Sequence, residues 1–244
     1  MAVLLYEKTN KQLQFGCGGA LITEKHVLTA AHCVLKEQIP QAWKLKYARL
    51  GEWDRTVNPD CQELSDTYYC ALDPMDLEID STFPHEFYES SNFNKVNDIA
   101  VLLLESSVDF TEFVRPICIL DFTGGQNERP VTVIGYGKTE TSTSSDRLQA
   151  VEIDIEKHST CSRKYRIQGR SIAKSQICAY KRNADTCNGD SGSPLMRQSD
   201  TNPPFWYLVG ITSFGPASCG KTDYPGVYTN INNYVDWINA KIKI

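Results

Sequence analysis

Short runs of apolar and β-branched residues recur along the chain, and turn residues separate each run from the next. The clearest runs are residues 1–6, 18–23, 27–30, 99–104, 131–136, 206–212 and 226–229. Regularly spaced short strands with glycine and proline turns are typical of a β-barrel or a β-sandwich. The sequence shows no fixed-period repeat. The pattern therefore predicts an all-β fold and leaves barrel and sandwich both open.

The hydrophobic pattern changes near the C-terminus, where apolar side chains recur at helical spacing within residues 233–243. These side chains are Tyr234, Trp237, Ile238 and Ile242. Spacings of three and four residues put them on one face of a helix. We therefore expect a C-terminal α-helix that lies on the strands.

Three segments lack such periodicity and are predicted to be connections. Residues 111–128, which contain a proline and a glycine pair, are predicted to join two halves of the chain. Residues 58–76 are acidic, and residues 139–146 form a polar tract. We expect both of these segments to be loops on the surface.

Composition and charge exclude several classes of protein. The chain has 244 residues, of which 41% are hydrophobic, so it can bury a substantial core. Its formal net charge is −5 and it has no long block of Lys or Arg, which argues against nucleic acid or an anionic membrane as a partner. No apolar run approaches the roughly 20 residues that a membrane span needs.

Nine cysteines favour disulfide bonds in an oxidising compartment. They are widely spaced and include no C-x-x-C pair, which makes a zinc site the weaker interpretation. Because nine is odd, one cysteine stays free or bonds to another chain. The apolar run at residues 1–6 is too short for a signal peptide and lacks a basic flank. We therefore expect a secreted chain that has been processed or truncated.

Three segments carry the side chains that nucleophilic catalysis needs. They are TAAHC (29–33) with His32, NDIAVLL (97–103) with Asp98, and GDSGSP (189–194) with Ser191. A hydroxyl attacks an amide carbonyl slowly unless an oriented base removes its proton and donors stabilise the oxyanion. Each segment also has a plain structural explanation: a packed histidine, a capping aspartate and a surface turn. The three together favour a catalytic triad.

These segments and their surroundings resemble the trypsin/chymotrypsin-like (S1) serine proteases. The similarity runs through CGGALITEKHVLTAAHC (17–33), NDIAVLLL (97–104), RPICIL (115–120), DTCNGDSGSPL (185–195) and PGVYTNINNYVDWI (225–238), which together cover essentially the whole chain. The resemblance implies two antiparallel six-stranded β-barrels with the active site between them. Residues 1–115 would form the N-terminal barrel, 116–232 the C-terminal barrel and 233–244 the C-terminal helix.

The resemblance also implies a role for each catalytic residue. Asp98 would hold His32 in one tautomer, and His32 would take the proton of Ser191 and later pass it to the leaving amine. The backbone N–H groups of Gly189 and Ser191 would form the oxyanion hole. Ser213 matches the serine that supports the buried aspartate.

Substrate specificity follows from the same comparison. Asp185 lies six residues before Ser191 and resembles the floor of the trypsin pocket, where a carboxylate pairs with an Arg or Lys side chain of the substrate. Gly215 and Gly226 match positions of the pocket wall, and Phe214 would keep the apolar rim. The alternative is that Asp185 caps a surface loop.

The resemblance pairs eight of the nine cysteines. The implied disulfides are Cys17–Cys33, Cys161–Cys178 and Cys187–Cys219, with Cys61–Cys70 inside one inserted loop. In multi-domain members the position of Cys118 is joined to a cysteine of the N-terminal light chain. The alternative for Cys118 is a free, buried thiol.

The Cys61/Cys70 pair, with GEWDRTVNPDC before it, is similar to the arthropod clip-domain serine proteases. Those enzymes act in haemolymph cascades of innate immunity such as melanisation and Toll signalling. The resemblance implies an upstream clip domain, a protein substrate (a protease zymogen, a prophenoloxidase or a cytokine precursor) and serpin inhibitors. A digestive trypsin and a non-catalytic serine protease homologue acting as a binding cofactor are the alternatives. The extra cysteines disfavour the first, and the intact triad disfavours the second.

The same inserted segment offers hard oxygen ligands. Catalysis requires no cofactor, but Glu52, Asp54 and Asp60, with the carbonyl of Val57 or Thr56, lie at short spacing. Family members hold a structural calcium ion in this loop. The alternative is an acidic, solvated loop.

The beginning of the chain departs from the family pattern. Members start the active chain with an Ile-Val-Gly-Gly-like segment, whose freed amino group pairs with the aspartate at the position of Asp190. This activation segment is absent from the sequence. The resemblance therefore implies that Asp190 lacks its cation, and that the oxyanion hole of this chain is disordered.

Overall fold

The structure is a computed structural model that describes residues 1–64, 67–119, 130–137, 144–181, 190–216 and 223–243. Short strands dominate, and they form two closed barrels with one separate hairpin. The strands of the first half, in chain order, are β1 (Ala2–Lys8), β2 (Leu13–Leu21), β3 (His26–Thr29), β4 (Trp43–Leu50), β5 (Cys61–Leu64), β6 (Thr67–Cys70), β7 (Met75–Pro84) and β8 (Ala100–Leu104).

The first barrel closes in the order β1-β2-β3-β8-β7-β4 through antiparallel pairs. Successive side chains of a strand point to opposite faces, so alternate residues enter the barrel. Leu4, Leu28 and Leu102 are fully buried inside it. This packed interior holds the end of β3 and the start of β8, beside which His32 and Asp98, the predicted base and its partner, lie.

The second barrel is built by the strands of the other half. They are β9 (Cys118–Ile119), β10 (Val131–Gly135), β11 (Gln149–Glu156), β12 (Gln176–Tyr180), β13 (Pro194–Gln198), β14 (Trp206–Phe214) and β15 (Gly226–Asn230). Six strands run in the order β13-β10-β11-β12-β15-β14, and the pairing of β13 with β14 closes them. The predicted pair of antiparallel six-stranded barrels is confirmed. The short strand β9 adds to β14 in parallel, with Cys118 opposite Tyr207.

Two α-helices lie in the described part of the chain, α1 (His158–Ile167) and α2 (Val235–Lys241). The predicted C-terminal helix is confirmed as α2, which buries Ile238 against the core of the first barrel. The sequence analysis missed α1, because only Cys161 and Tyr165 of its side chains are buried. Neither helix combines the length and apolar character that crossing a membrane requires.

The acidic segment 58–76 is more ordered than the expected surface loop. Strands β5 and β6 form a hairpin in which Cys61 pairs directly with Cys70. The side chains of β6 are exposed, including Tyr68 and Tyr69, so no core contact announces these strands in the sequence. Strand β7 then begins at Met75 and returns the chain to the barrel.

Candidate active site

His32 is fixed by the turn that follows β3. It lies in a one-turn 3-10 helix, Ala31–Cys33, and the disulfide Cys17–Cys33 ties this turn to β2. The Tyr6 hydroxyl donates to the carbonyl of Cys33 at 2.8 Å. The backbone around the imidazole is therefore held from two neighbouring strands.

Asp98 is completely buried just before β8, and its carboxylate is fully engaged with the histidine. His32 Nδ1 lies 2.8 Å from Asp98 Oδ2, and the backbone N–H of His32 donates to Asp98 Oδ1 at 3.0 Å. The Ser213 hydroxyl donates to Oδ2 from the second barrel, and the Thr229 hydroxyl donates to the Asp98 carbonyl at 2.7 Å. The carboxylate can therefore favour the tautomer of His32 that carries its proton on Nδ1.

The electrostatics of the pair favour an ionised aspartate. Burial by itself would raise the pKa of Asp98, but the charge of His32 and the hydrogen bonds from His32 and Ser213 outweigh it and hold the pKa below its usual value. An ionised Asp98 stabilises the imidazolium that forms when His32 accepts a proton. His32 thus has the environment of a general base.

Ser191 lies on a tight turn that rests against the first barrel. The N–H of Gly18 donates to the carbonyl of Ser191 at 2.8 Å, and the N–H of Gly192 donates to the carbonyl of Thr212 at 2.8 Å. Gly192 has φ 79°, and a Cβ there would lie 2.3 Å from the hydroxyl oxygen of Thr29. Only glycine lets the turn approach the His32 segment this closely. The structure thus packs the turn of Ser191, from the second barrel, against the segment of the first barrel that carries His32.

Asp190 is 9% exposed, and its carboxylate lies against the end of β10. Its Oδ1 accepts the N–H of Gly137 at 2.8 Å, and a Cβ at Gly135 would lie 1.9 Å from the same oxygen. The carboxylate fits because both positions lack a side chain. The expectation that Asp190 lacks the cation of a freed amino group stays a prediction.

Of the predicted specificity pocket, the structure describes two wall strands, β14 and β15, which pair antiparallel. Phe214 ends β14 opposite Val227, and a Cβ at Gly215 would lie 3.6 Å from Gly226 Cα. The Tyr165 hydroxyl supports this wall by donating to the carbonyl of Pro225 at 2.6 Å. Asp185 and Gly189, the predicted pocket floor and oxyanion donor, lie outside the described residues, as do Cys187 and Cys219.

The remaining predicted disulfides are present: Cys17–Cys33, Cys61–Cys70 and Cys161–Cys178. Cys118 carries a free thiol and is exposed on β9. Exposure excludes the buried-thiol alternative for Cys118. Its link to a light chain stays a prediction.

The predicted calcium ligands lie near one another but are held by other donors. Asp54 bonds to Thr56 and to Arg147 Nε, and Asp60 accepts the backbone N–H groups of residues 53 and 54 at 2.9 and 3.1 Å. Glu52 pairs with Arg49, while its buried Oε1 has no hydrogen-bond partner in the described part of the chain. The arrangement therefore fits Glu52 as an oxygen ligand better than Asp54.

Carboxylates of this segment do not form a compact oxygen cluster. Among the residues that the structure describes, the one group with metal-ligating atoms within 4.8 Å of one another is Cys17, His32 and Cys33. The two sulfurs of that group are bonded to each other, so it is not a metal site. A calcium ion stays a prediction that centres on Glu52.

The sequence analysis assigned no role to several supporting residues. Gly18, Thr229 and Gly137 each bond to a catalytic or neighbouring residue that is more than 50 positions away in the chain. Gly18 and Thr229 do lie inside stretches that carry the family resemblance. Their neighbourhood in the sequence was a signal, but their partners are visible only in the fold.

Comparisons with known proteins show the family of the chain. The profile of the family described as Trypsin matches residues 1–238. CLIP domain-containing serine protease B4 of Anopheles gambiae is 40% identical over 246 residues, which cover 99% of this chain and 66% of that protein. Melanization protease 1 of Drosophila melanogaster is 36% identical over 250 residues, which cover all of this chain and 62% of that protein. The chain thus spans slightly less than two thirds of the length of these relatives.

A solved structure shows the same fold. The crystal structure of the Drosophila Grass clip serine protease of the Toll pathway matches with a TM-score of 0.84 and 33% sequence identity, covering 99% of this chain and 68% of that chain. The paired His32 and Asp98 face the Ser191 turn across two barrels of the same kind. The chain therefore belongs to the trypsin family of serine endopeptidases, and its relatives include insect clip proteases.

Proposed function

We propose that this chain is the catalytic part of a secreted protease that cleaves after Arg or Lys and activates protein precursors in an arthropod immune cascade. The contact of 2.8 Å between His32 Nδ1 and Asp98 Oδ2, with the Ser191 turn packed against the segment that carries His32, is the observation that supports the endopeptidase activity. The names of two relatives, a melanization protease and a protease of the Toll pathway, support the cascade. The proposed compartment is the haemolymph.

The geometry supports a two-step acyl transfer. Because Asp98 holds the proton on Nδ1, Nε2 of His32 can accept the proton of the Ser191 hydroxyl as its oxygen attacks the substrate carbonyl. The imidazolium next returns that proton to the leaving amine, which departs as the C–N bond breaks. Water then attacks the carbonyl of the acyl-serine while His32 takes its proton. The bond to Ser191 Oγ breaks, the carboxylic acid product leaves, and His32 returns the proton to Ser191.

Cleavage after Arg or Lys rests on Asp185 as the pocket floor. A long substrate side chain would have space beside Gly215 and Gly226, because these two positions have no side chain. A carboxylate at the floor would pair with a guanidinium in two parallel hydrogen bonds. The cleaved bond would therefore follow Arg more readily than Lys.

The test uses the full-length precursor after cleavage at its activation site. Amide hydrolysis is measured on matched peptides that end in Arg, Lys, Phe or Leu, for the wild type and for Ser191→Ala and Asp185→Ser. We expect cleavage after Arg and Lys, its loss in Ser191→Ala, and its selective loss in Asp185→Ser. Cleavage only after Phe or Leu would contradict the Asp185 pocket, and no cleavage of any peptide would favour the non-catalytic homologue.

Cys118 is proposed to connect this chain to an N-terminal light chain that carries the clip domain. The thiol is exposed on an edge of the second barrel, where a second chain can reach it. Mass spectrometry of the activated full-length protein without reduction should show a disulfide-linked pair of chains. Separate chains under the same conditions would contradict the link. Serpins are proposed as the inhibitors of the activated enzyme.

A structural calcium ion is proposed at Glu52. The buried, unpartnered Oε1 supports a cation there, and the Asp54–Arg147 pair opposes a larger ligand set. Calorimetric titration of the protein with Ca²⁺ should show binding that Glu52→Gln removes. Equal heats for both proteins would contradict the site.

A further inference from the structure

Two loops from different barrels meet beside the triad, and each carries a cation. Lys95 lies three residues before Asp98 with φ 47°, and Arg170 lies in the loop that follows α1. The N–H of Ser171 donates to Asn94 Oδ1 at 2.8 Å, and Gln176 Nε2 donates to the carbonyl of Asn94 at 2.9 Å. These bonds fix the two loops to each other, so the cations keep a defined separation from the catalytic pair.

Arg170 is held between two aromatic rings. Its guanidinium carbon lies 3.5 Å from the ring centroid of Phe93 and 4.5 Å from that of Phe214, and Arg170 also donates to the carbonyl of Phe93. Phe214 directly follows Ser213, which donates to Asp98. A guanidinium has five N–H donors, and the bond to the Phe93 carbonyl uses one side of the group, at Nη1. Arg170 can therefore present donors toward the cleft in a fixed orientation.

Burial disfavours the charged forms of Lys95 and Arg170. Burial lowers the pKa of Lys95, and the charge of Arg170 lowers it further, while Asp98 acts in the opposite direction. Burial also lowers the pKa of Arg170. Within the described ranges, no carboxylate forms an ion pair with either side chain, whereas Lys46, Arg49, Lys164 and Lys241 are all paired. A carboxylate that arrives with a ligand would stabilise both charges.

We propose that Lys95 and Arg170 form a subsite that selects an acidic side chain of the substrate, two to four residues before the cleaved bond. This inference rests on the proposed function, because it defines a preference of the same protease site. Phe214 is the proposed rim of the primary pocket, and the Arg170 guanidinium lies against its ring, so a substrate residue that precedes the cleaved one would lie within reach of Arg170. The exposed ring of Phe93 would cover the methylene groups of a Glu. The favoured substrate is therefore a precursor whose cleavage site has Asp or Glu shortly before the basic residue.

The experiment uses the activated full-length enzyme and tetrapeptide amides that all end in Arg. Ala occupies the three preceding positions, and each position in turn receives Glu or Gln, which have nearly the same shape. We expect kcat/KM to favour Glu over Gln by about tenfold at one or more positions, and the ratio to shrink as salt rises. In Arg170→Gln and Lys95→Met the ratio should fall toward one.

Arg163→Gln is the matched control, because it removes a positive charge from an exposed position of α1. Its Glu/Gln ratio should equal that of the wild type. Arg170→Lys keeps the charge without the planar guanidinium: a Glu/Gln ratio between those of the wild type and Arg170→Gln supports the subsite. A wild-type ratio in both Arg170→Gln and Lys95→Met would overturn it. Cleavage of all Arg peptides with a wild-type Glu/Gln ratio near one would overturn the subsite alone. Failure to cleave any Arg peptide would overturn the subsite together with the proposed function.

Discussion

Gly192 and Gly169 have similar left-handed backbones, with φ 79° and 73°, but different surroundings. A Cβ at Gly192 would meet the carbonyl of Gly18 at 2.5 Å and the hydroxyl of Thr29 at 2.3 Å, whereas a Cβ at Gly169 would meet nothing within 4 Å. We expect Gly169→Ala to lower the free energy of unfolding by about 1–2 kcal/mol through backbone strain. In Gly192→Ala the same strain and an overpacking cost of about 1–3 kcal/mol should together lower the free energy of unfolding. This variant should also have a lower kcat, because Ser191 is its neighbour.

Urea denaturation of the two alanine variants measures this difference. Gly169→Ala is the control for the strain of a left-handed residue, since it lacks the steric conflict. Equal losses of stability in both variants would show that the turn of Ser191 can move away from Thr29, and would contradict the close packing described for it.

Asp98 can be tested without removing its hydrogen-bonding shape. The amide of Asp98→Asn is neutral, so His32 loses the negative charge that stabilises its imidazolium. The amide also has only one oxygen, so it can no longer accept hydrogen bonds at both positions. We expect kcat to fall by about 10⁴-fold. Hydrolysis of an Arg peptide by the activated protein measures the effect, and circular dichroism checks the fold. Asp109→Asn, at an exposed position, should leave kcat unchanged; a comparable fall in both variants would contradict the special role of Asp98.

Local motifs are enough to predict the candidate catalytic side chains but not the contacts that support them. His32, Asp98 and Ser191 lie in short stretches with specific neighbours, and Ser213 shares that advantage. The N–H of Gly137 that bonds Asp190 has no such mark, because its role depends on a partner 53 residues away. Supporting contacts of this kind arise from the register of strands, which a single sequence does not reveal.

The strands and helices that the sequence predicts well are those whose side chains are mostly buried. Strand β8 is a nearly continuous apolar run and was predicted almost to its ends, since its side chains are buried on both faces. The hairpin β5–β6 and the helix α1 are largely polar, so their patterns gave little sign of structure. Strand β7 alternates Met75, Leu77 and Ile79, yet its start overlaps the acidic segment that was interpreted as a loop.

The ion pair between Asp54 and Arg147 joins the segment after β4 to the segment before β11. The Thr56 side chain, the Arg147 guanidinium and the Thr56 N–H lower the pKa of Asp54 from 3.8 to about 2. A carboxylate whose pKa is lowered on folding stabilises the protein above its unfolded pKa and loses this contribution as pH falls through the folded value. We therefore expect the Tm difference between the wild type and Asp54→Asn to be constant above about pH 5 and to shrink between pH 4 and 2.

Thermal melts across that pH range measure the effect. Arg147→Gln provides the second variant: introduced into Asp54→Asn, it should add no further dependence on pH, because the carboxylate it acts on is gone. A Tm difference that stays the same down to pH 2 would contradict the lowered pKa.

Helix α2 connects the end of the second half of the chain to the first barrel. Ile238 is fully buried in the first barrel's core, and the Tyr234 hydroxyl donates to Asn97, the neighbour of Asp98, at 2.8 Å. We expect Ile238→Ala to lower the free energy of unfolding by about 2–5 kcal/mol, because it leaves a cavity. Chemical denaturation measures this loss. Asn239→Ala, exposed on the same helix, should change stability by less than about 0.5 kcal/mol; a similar loss in both variants would contradict the packing of α2.

The architecture as a whole could be predicted because resemblance supplied what periodicity left open. Alternation and turns alone left barrel and sandwich equally acceptable, and the motifs around His32 and Ser191 selected the barrels. The parallel pairing of β9 with β14 had no signal, since a strand of two residues has no pattern. Its consequence, an exposed Cys118, became visible only with the fold.

Because His32 and Asp98 come from one barrel and Ser191 from the other, the position of Ser191 relative to His32 depends on how the two barrels are rotated against each other. With a lever arm of about 10 Å, a relative rotation of about 6° would shift the serine by about 1 Å, and a misplacement of that size can cost about 10²-fold in rate. Such a rotation breaks no strand and leaves both cores packed. A ligand that binds between the barrels and rotates one against the other would therefore inhibit peptide hydrolysis while the protein stays folded.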